Sequence, residues 1–147
     1  MNGSQKTEAG GLKAEGENQA LTRQISSFRD LRVYQAAMEL QQKVFEISRT
    51  WPREEKFSLV DQIRRSSRSI GANIAEAWAK RKYPLHFISK LTDADGELQE
   101  TSHWLSTAWN CKYITEVEHA RLQSDIREIG KMLGKMMSMP EKFSRAA

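Results

Sequence analysis

Residues 59–77 read LVDQIRRSSRSIGANIAEA, and this stretch decides the fold. At about 100° per residue around a helix, Leu59, Ile63, Ser66, Ile70, Ile74 and Ala77 fall on one face. Asn73 sits near the edge of that face, where a buried amide must be satisfied and can fix register between helices. The outer side starts cationic, with Arg64, Arg65 and Arg68, and continues small, with Ala72, Ala75 and Ala79. Small side chains let a further helix approach closely.

Working outward, three more helix-length stretches flank this one, separated by turn signals. Pro52 follows Trp51 and breaks the first pair. Tyr83-Pro84 breaks the second. Asn110-Cys111-Lys112 and the capping-box pattern Thr115-x-x-Glu118 mark the third break and the fourth start. Pro140 ends the fourth helix. No segment alternates with period two over a useful length, so no sheet is expected. The fold class is all-α, an antiparallel up-down four-helix bundle spanning 28–139. Residues 140–147 read as a short C-terminal tail. Residues 1–27 hold four of the eight glycines and few apolar side chains, so they read as a disordered tail. The alternative for that tail is a peptide that orders on a partner.

The first helix carries two apolar stripes. Leu31, Tyr34, Met38 and Phe45 share one face. Val33, Ala37, Leu40, Val44 and Ile47 lie nearly opposite, in a heptad-like rhythm of fours and threes. A helix in a lone small bundle needs one stripe, so the second is read as a subunit contact. That makes Val33, Leu40, Val44 and Ile47 interface candidates, with Ala72 and Ala75 on the second helix. In the third helix, Leu85 to Trp109, the inward set is Phe87, Leu91, Ala94, Leu98, Leu105 and Trp109. Trp104 falls off this stripe and joins the interface candidates. The fourth helix offers Leu122, Ile126, Ile129, Leu133 and Met137. Gly130 and Gly134 cost helix propensity, which close packing would explain.

Composition narrows the classes of function. The 147 residues suit one domain with a single core. No apolar run nears the roughly 20 residues of a membrane-spanning helix, and no secretory signal is apparent, which points to the cytoplasm. Cys111 is the lone cysteine, so an intrachain disulfide or a multi-cysteine zinc site is excluded. Two Glu-x-x-His pairs, Glu100 with His103 and Glu116 with His119, raise a di-iron or di-manganese reading. The facing opposes it: Glu100 and His103 lie opposite Leu98 and Leu105, and neither Glu39 nor Glu46 falls on the main inward stripe of the first helix. No phosphate loop, nucleophile elbow or HExxH occurs. Neither a catalytic residue nor a metal or other cofactor is assigned, and no enzyme is expected.

The net charge of +4 permits nucleic-acid binding without requiring it. Arg64, Arg65 and Arg68 form one basic cluster, and Lys80, Arg81 and Lys82 another. Cations at a helix C-terminus are favourable for dipole reasons alone, so the second cluster has a structural explanation. Repeated around a ring, either cluster would become a multivalent surface for phosphate backbones.

Taken together, these residues resemble a known family. The run Phe28-Arg29-Asp30-Leu31-Arg32-Val33-Tyr34-Gln35 resembles its opening. Gln62-Ile63-Arg64-Arg65-Ser66, followed by Ser69-Ile70-Gly71-Ala72-Asn73-Ile74-Ala75-Glu76, resembles its signature. Matches continue through Phe87-Ile88, Lys90-Leu91, Glu97, Glu100-Thr101, Trp104-Leu105 and Glu128-Ile129-Gly130-Lys131-Met132-Leu133. On these residues the chain is similar to the four helix bundle protein family, also called the large-subunit ribosomal RNA intervening-sequence protein family. The resemblance implies an up-down bundle that assembles as a homopentameric ring. It extends to the accessory variability determinant of diversity-generating retroelements, a basic pentamer that partners a reverse transcriptase and binds nucleic acid. It transfers no catalytic residue. One departure is Ala77, where the family usually has glycine.

Overall fold

Side-chain caps or a proline mark the start of the first turn and of the last two long helices. A computed structural model describes residues 25–144. A 3-10 turn, Phe28–Asp30, leads into α1, Arg32–Ser48. The turn has its own capping box: Ser27 Oγ accepts from the Arg29 amide at 3.1 Å, and Asp30 Oδ2 accepts from the Ser27 amide at 3.1 Å. The backbone amides of Ser26, at 2.9 Å, and Ser27 both donate to Asp30 Oδ2, and in that order they hold its carboxyl below its ordinary value. A second 3-10 turn, Arg53–Glu55, precedes α2, Leu59–Ala79. Pro84 opens α3, Pro84–Asn110, at a position where its missing N–H costs nothing. α4, Glu116–Ser138, starts with the expected box: Thr115 Oγ1 accepts from the Glu118 amide at 3.1 Å, and Glu118 Oε1 from the Thr115 amide at 2.9 Å.

The α3–α4 turn ends α3 with paired reverse hydrogen bonds. Tyr113 N donates to Ala108 O and Lys112 N to Trp109 O, each at 2.9 Å. Lys112 takes the left-handed position, φ 62°, that glycine usually fills.

Each helix packs on its neighbours in the chain, and α1 closes on α4, giving the up-down bundle. The longest seam is α2 on α3. The described residues contain no strand, and none of their helices is long and apolar enough to cross a membrane. The expected stripe of α2 is buried in full: Leu59, Ile63, Ser66, Ile70, Ile74 and Ala77. A hydroxyl pair lies inside the α2–α3 seam, Ser66 Oγ 2.9 Å from Thr101 Oγ1. Each hydroxyl also meets a carbonyl of its own helix, Ile63 O at 3.3 Å and Glu97 O at 2.9 Å, so neither is orphaned.

The structure reverses the two faces of α1. Val33, Leu40 and Val44, expected at a subunit contact, lie in the chain's own core beside Ala37. Leu40 is 1% exposed. Ile47 is half-buried and packs against that core. The reason is the rhythm itself. Steps of four and three are the seam pattern of packed antiparallel helices, and here the seam is internal. The other stripe is covered by other means. Leu31 is buried, and the Tyr34 ring meets Phe28 edge-on at 4.9 Å. Tyr34 also lies over Gly71, where a Cβ would stand 3.5 Å from its Cε2. Met38 stays 38% exposed.

Two expected inward residues miss the core by one position. Trp109 is exposed, and Ala108 is buried in its place. Met137 is half-buried, and Met136 is buried. In both helices the buried positions step three after a four, Thr101–Leu105–Ala108 and Ile129–Leu133–Met136. Taking a second four in succession overshoots a seven-residue repeat. Trp104 packs half-buried against the core, with its indole Nε1 buried and unpartnered among the described residues. Asn73 fixes no register: its Nδ2 donates to Ser69 O of the same helix at 2.9 Å. Gly134 has open space where a Cβ would stand, and at Gly130 a Cβ would make ordinary contact with Leu98 at 3.6 Å. Close packing within the chain therefore requires neither glycine. Beyond Pro140, the helical turn Glu141–Ser144 stacks Phe143 on Phe87 at 5.5 Å, so this part of the C-terminal segment docks on the bundle. The tail expected over 1–27 lies outside the described residues up to 24.

Candidate nucleic-acid interface

The two basic clusters sit at opposite ends of α2. From residue 64 to residue 80 the helix rises by about 24 Å, at ~1.5 Å per residue. The clusters do not merge within one chain.

Around Arg64 the cations gather on an aromatic ring. The Arg64 guanidinium lies 4.8 Å from the Phe45 ring centre, Arg49 at 5.7 Å and Arg68 at 6.0 Å. Arg64 Nε also donates to Ser48 Oγ at 2.9 Å, which fixes its orientation on α1. Arg65 faces elsewhere. Its Nη2 lies 2.9 Å from both Glu100 oxygens, and Nη1 is 3.8 Å from Glu97 Oε2. Burial lifts the Glu97 carboxyl above its ordinary value, with the hydrogen bond and charge of Glu100 adding to the shift and Arg65 opposing it. Arg65 is thus largely neutralised by α3, whereas Arg64 and Arg68 make no ion pair among the described residues.

At the other end, Arg81 is a structural device. Its guanidinium lies 4.2 Å from the Trp78 ring centre, and Nη1 donates to Trp78 O at 3.0 Å, satisfying a terminal carbonyl of α2. Lys80 and Lys82 are exposed and carry no ion pair among the described residues. Sequence reasoning missed Phe45, Arg49, Lys56 and Phe57. Phe45 and Arg49 had a signal, since an aromatic and a cation four apart share a helix face. Lys56 and Phe57 sit in a turn, where periodicity is silent.

The Glu-x-x-His pairs do not converge. Glu100 is committed to Arg65, and exposed His103 lies against Trp104 at 4.7 Å. His119 stacks on Trp109 at 4.5 Å and stands 3.3 Å from Ser106 Oγ and from Gln123 Nε2. Glu116 is exposed in the first turn of α4. No three His, Cys, Asp or Glu side chains gather as a metal would need among the described residues.

Four antiparallel helices with a closed apolar core and an arginine-lined outer seam define an up-down helical-bundle protein. Within that class, the chain belongs to the 23S rRNA-intervening sequence protein family, whose model matches residues 29–135. It is similar to a solved structure of a protein of unknown function from the S23 ribosomal protein family of Bacteroides thetaiotaomicron. Identity is 30% over 71% of this chain and 97% of that one, with a TM-score of 0.63. No curated protein matches.

Proposed function

We propose that the protein is a non-enzymatic, cytoplasmic scaffold that assembles with copies of itself as a five-membered ring. The observation that carries this reading is Met38, left 38% exposed at the middle of α1, an apolar side chain that a subunit contact would cover. Ile47 and Met38 border one shallow groove, and Ala72 and Ala75 offer small side chains on the outer side of α2. These four replace Val33, Leu40 and Val44 as contact candidates. The number five comes from the family resemblance. Native mass spectrometry of the full chain at low salt tests the reading. A closed assembly near five copies supports it, and a bare monomer across the working concentration range refutes it.

A second reading adds a nucleic-acid role, alongside a reverse transcriptase or another RNA-handling partner. That Arg64, Arg68, Lys80 and Lys82 make no ion pair among the described residues favours it, as do the ribosomal RNA and ribosomal protein in the names of the matching families. Such binding should weaken steeply with salt. Binding that ignores salt, or extra mass that nuclease cannot remove, counts against it.

A further inference from the structure

We propose that the groove at the start of α2 is a single-strand-selective nucleic-acid site, with exposed Phe57 as the platform on which an unpaired base stacks. The inference rests on the nucleic-acid reading above and narrows its ligand. Lys56, Phe57, Asp61, Arg64, Arg65 and Arg68 line this groove. Among these lining residues four cations stand with one carboxylate, Asp61, and of the four only Arg65 is held in ion pairs among the described residues, by Glu100 and Glu97. The first turn of α2 adds the partial positive charge of a helix N-terminus beside them. The groove therefore favours an anion.

Phe57 says which kind. It is 86% exposed, whereas the next apolar residues, Leu59 and Val60, are buried and serve the core. Lys56 Nζ lies 5.4 Å from its ring centre, so a cation accompanies the ring. A row of cations beside an open aromatic face matches a strand whose phosphates follow the cations while a base lies on the ring. A duplex satisfies only half of this arrangement, because its bases are already stacked on one another. An acidic peptide likewise meets the cations but gives the ring no flat π partner. A second copy of this chain, with a formal charge of +4, is a poorer electrostatic match.

The experiment is fluorescence anisotropy on the full-length protein. The probes are a labelled strand of about 15 nucleotides, as RNA and as DNA, and the duplex of each. The single strand should bind about tenfold more tightly than the duplex, the order of one base-on-aromatic stack. Phe57→Ala should erase that preference and leave duplex binding in place. Phe57→Trp should restore it. Arg68→Glu should weaken both and flatten the salt dependence. Preference for RNA over DNA would assign the site to RNA, and equal binding to either strand chemistry. If nucleic acid binds in a salt-dependent way but Phe57→Ala changes nothing, the groove is refuted and the broader reading survives. If no nucleic acid binds at all, both fall. Displacement of the strand by polyglutamate at equal charge would make an acidic peptide the occupant and overturn the inference. So would loss of the assembly in Phe57→Ala with binding unchanged.

Discussion

The two faces of α1 are nearly equal in apolar content and opposite in fate. Val33, Ala37, Leu40 and Val44 sit in the core, while Tyr34, Met38 and Phe45 look outward. Of the outward set, Tyr34 is covered by Phe28 and the backbone at Gly71 and Phe45 by three arginines, while Met38 stays exposed. Apolar periodicity thus shows that a helix has a buried face without showing which face. The deciding information lies on the partner helices. The inner set faces other helices across a shared core, and the outer set meets scattered groups at its edge, Phe28 and Gly71 at Tyr34 and three arginines at Phe45.

The largest effect should come from the inner face. Leu40→Asp or Val44→Asp would place an unpaired carboxylate in a closed apolar site, costing more than about 4 kcal/mol and leaving the chain largely unfolded. Circular dichroism with urea titration distinguishes this from loss of assembly. A folded monomer would restore these residues to the subunit contact and break the comparison.

A smaller effect tests the polar part of the interior. Thr101→Val removes the hydroxyl that meets Ser66 across the α2–α3 seam, but Ser66 keeps its bond to Ile63 O. The expected cost is about 1 kcal/mol in urea unfolding. Combining it with Ser66→Ala should cost less than the two single changes added together, since they share one interaction. Full additivity would show that the hydroxyls do not interact.

How much of this was legible beforehand follows the same division. The α2 face, with Ile63, Ile70 and Ile74, was readable because one stripe is apolar and the opposite one charged. The Thr115–Glu118 box was readable because capping is local chemistry. Trp109 and Met137 were misplaced because a second step of four was taken where the seven-residue repeat requires a three; Trp109 is left exposed and Met137 packs only at the edge of the core. The candidate site was legible in part. Arg64, Arg65 and Arg68 stand close in sequence, but the pairing of Arg65 with Glu100 spans two helices. Phe57 gave no signal, because only the folded chain shows that its ring stays 86% exposed with Lys56 beside it.

Gly134→Ala sharpens the outer side of the comparison. The site is open, so the substitution should stabilise the chain by about 0.5–1 kcal/mol through helix propensity alone. Thermal unfolding measures it. A lowered midpoint would mean that something approaches Gly134 more closely than this chain does, and a neighbouring subunit is the natural source.

The smallest effect on stability should carry the most meaning for function. Met38→Ser removes an exposed thioether from the outer face of α1 and should change unfolding free energy by no more than about 0.5 kcal/mol. If Met38 is buried between copies, the same substitution loosens the assembly, because each contact loses apolar area without gaining a partner for the new hydroxyl. In a closed ring every subunit contact repeats, so one substitution per chain acts at all of them. Native mass spectrometry over a dilution series should then show Met38→Ser dissociating at concentrations where the parent chain remains assembled. Unchanged stability with unchanged mass would leave the outer face of α1 without a role, and the contact would have to be sought on α2, around Ala72 and Ala75.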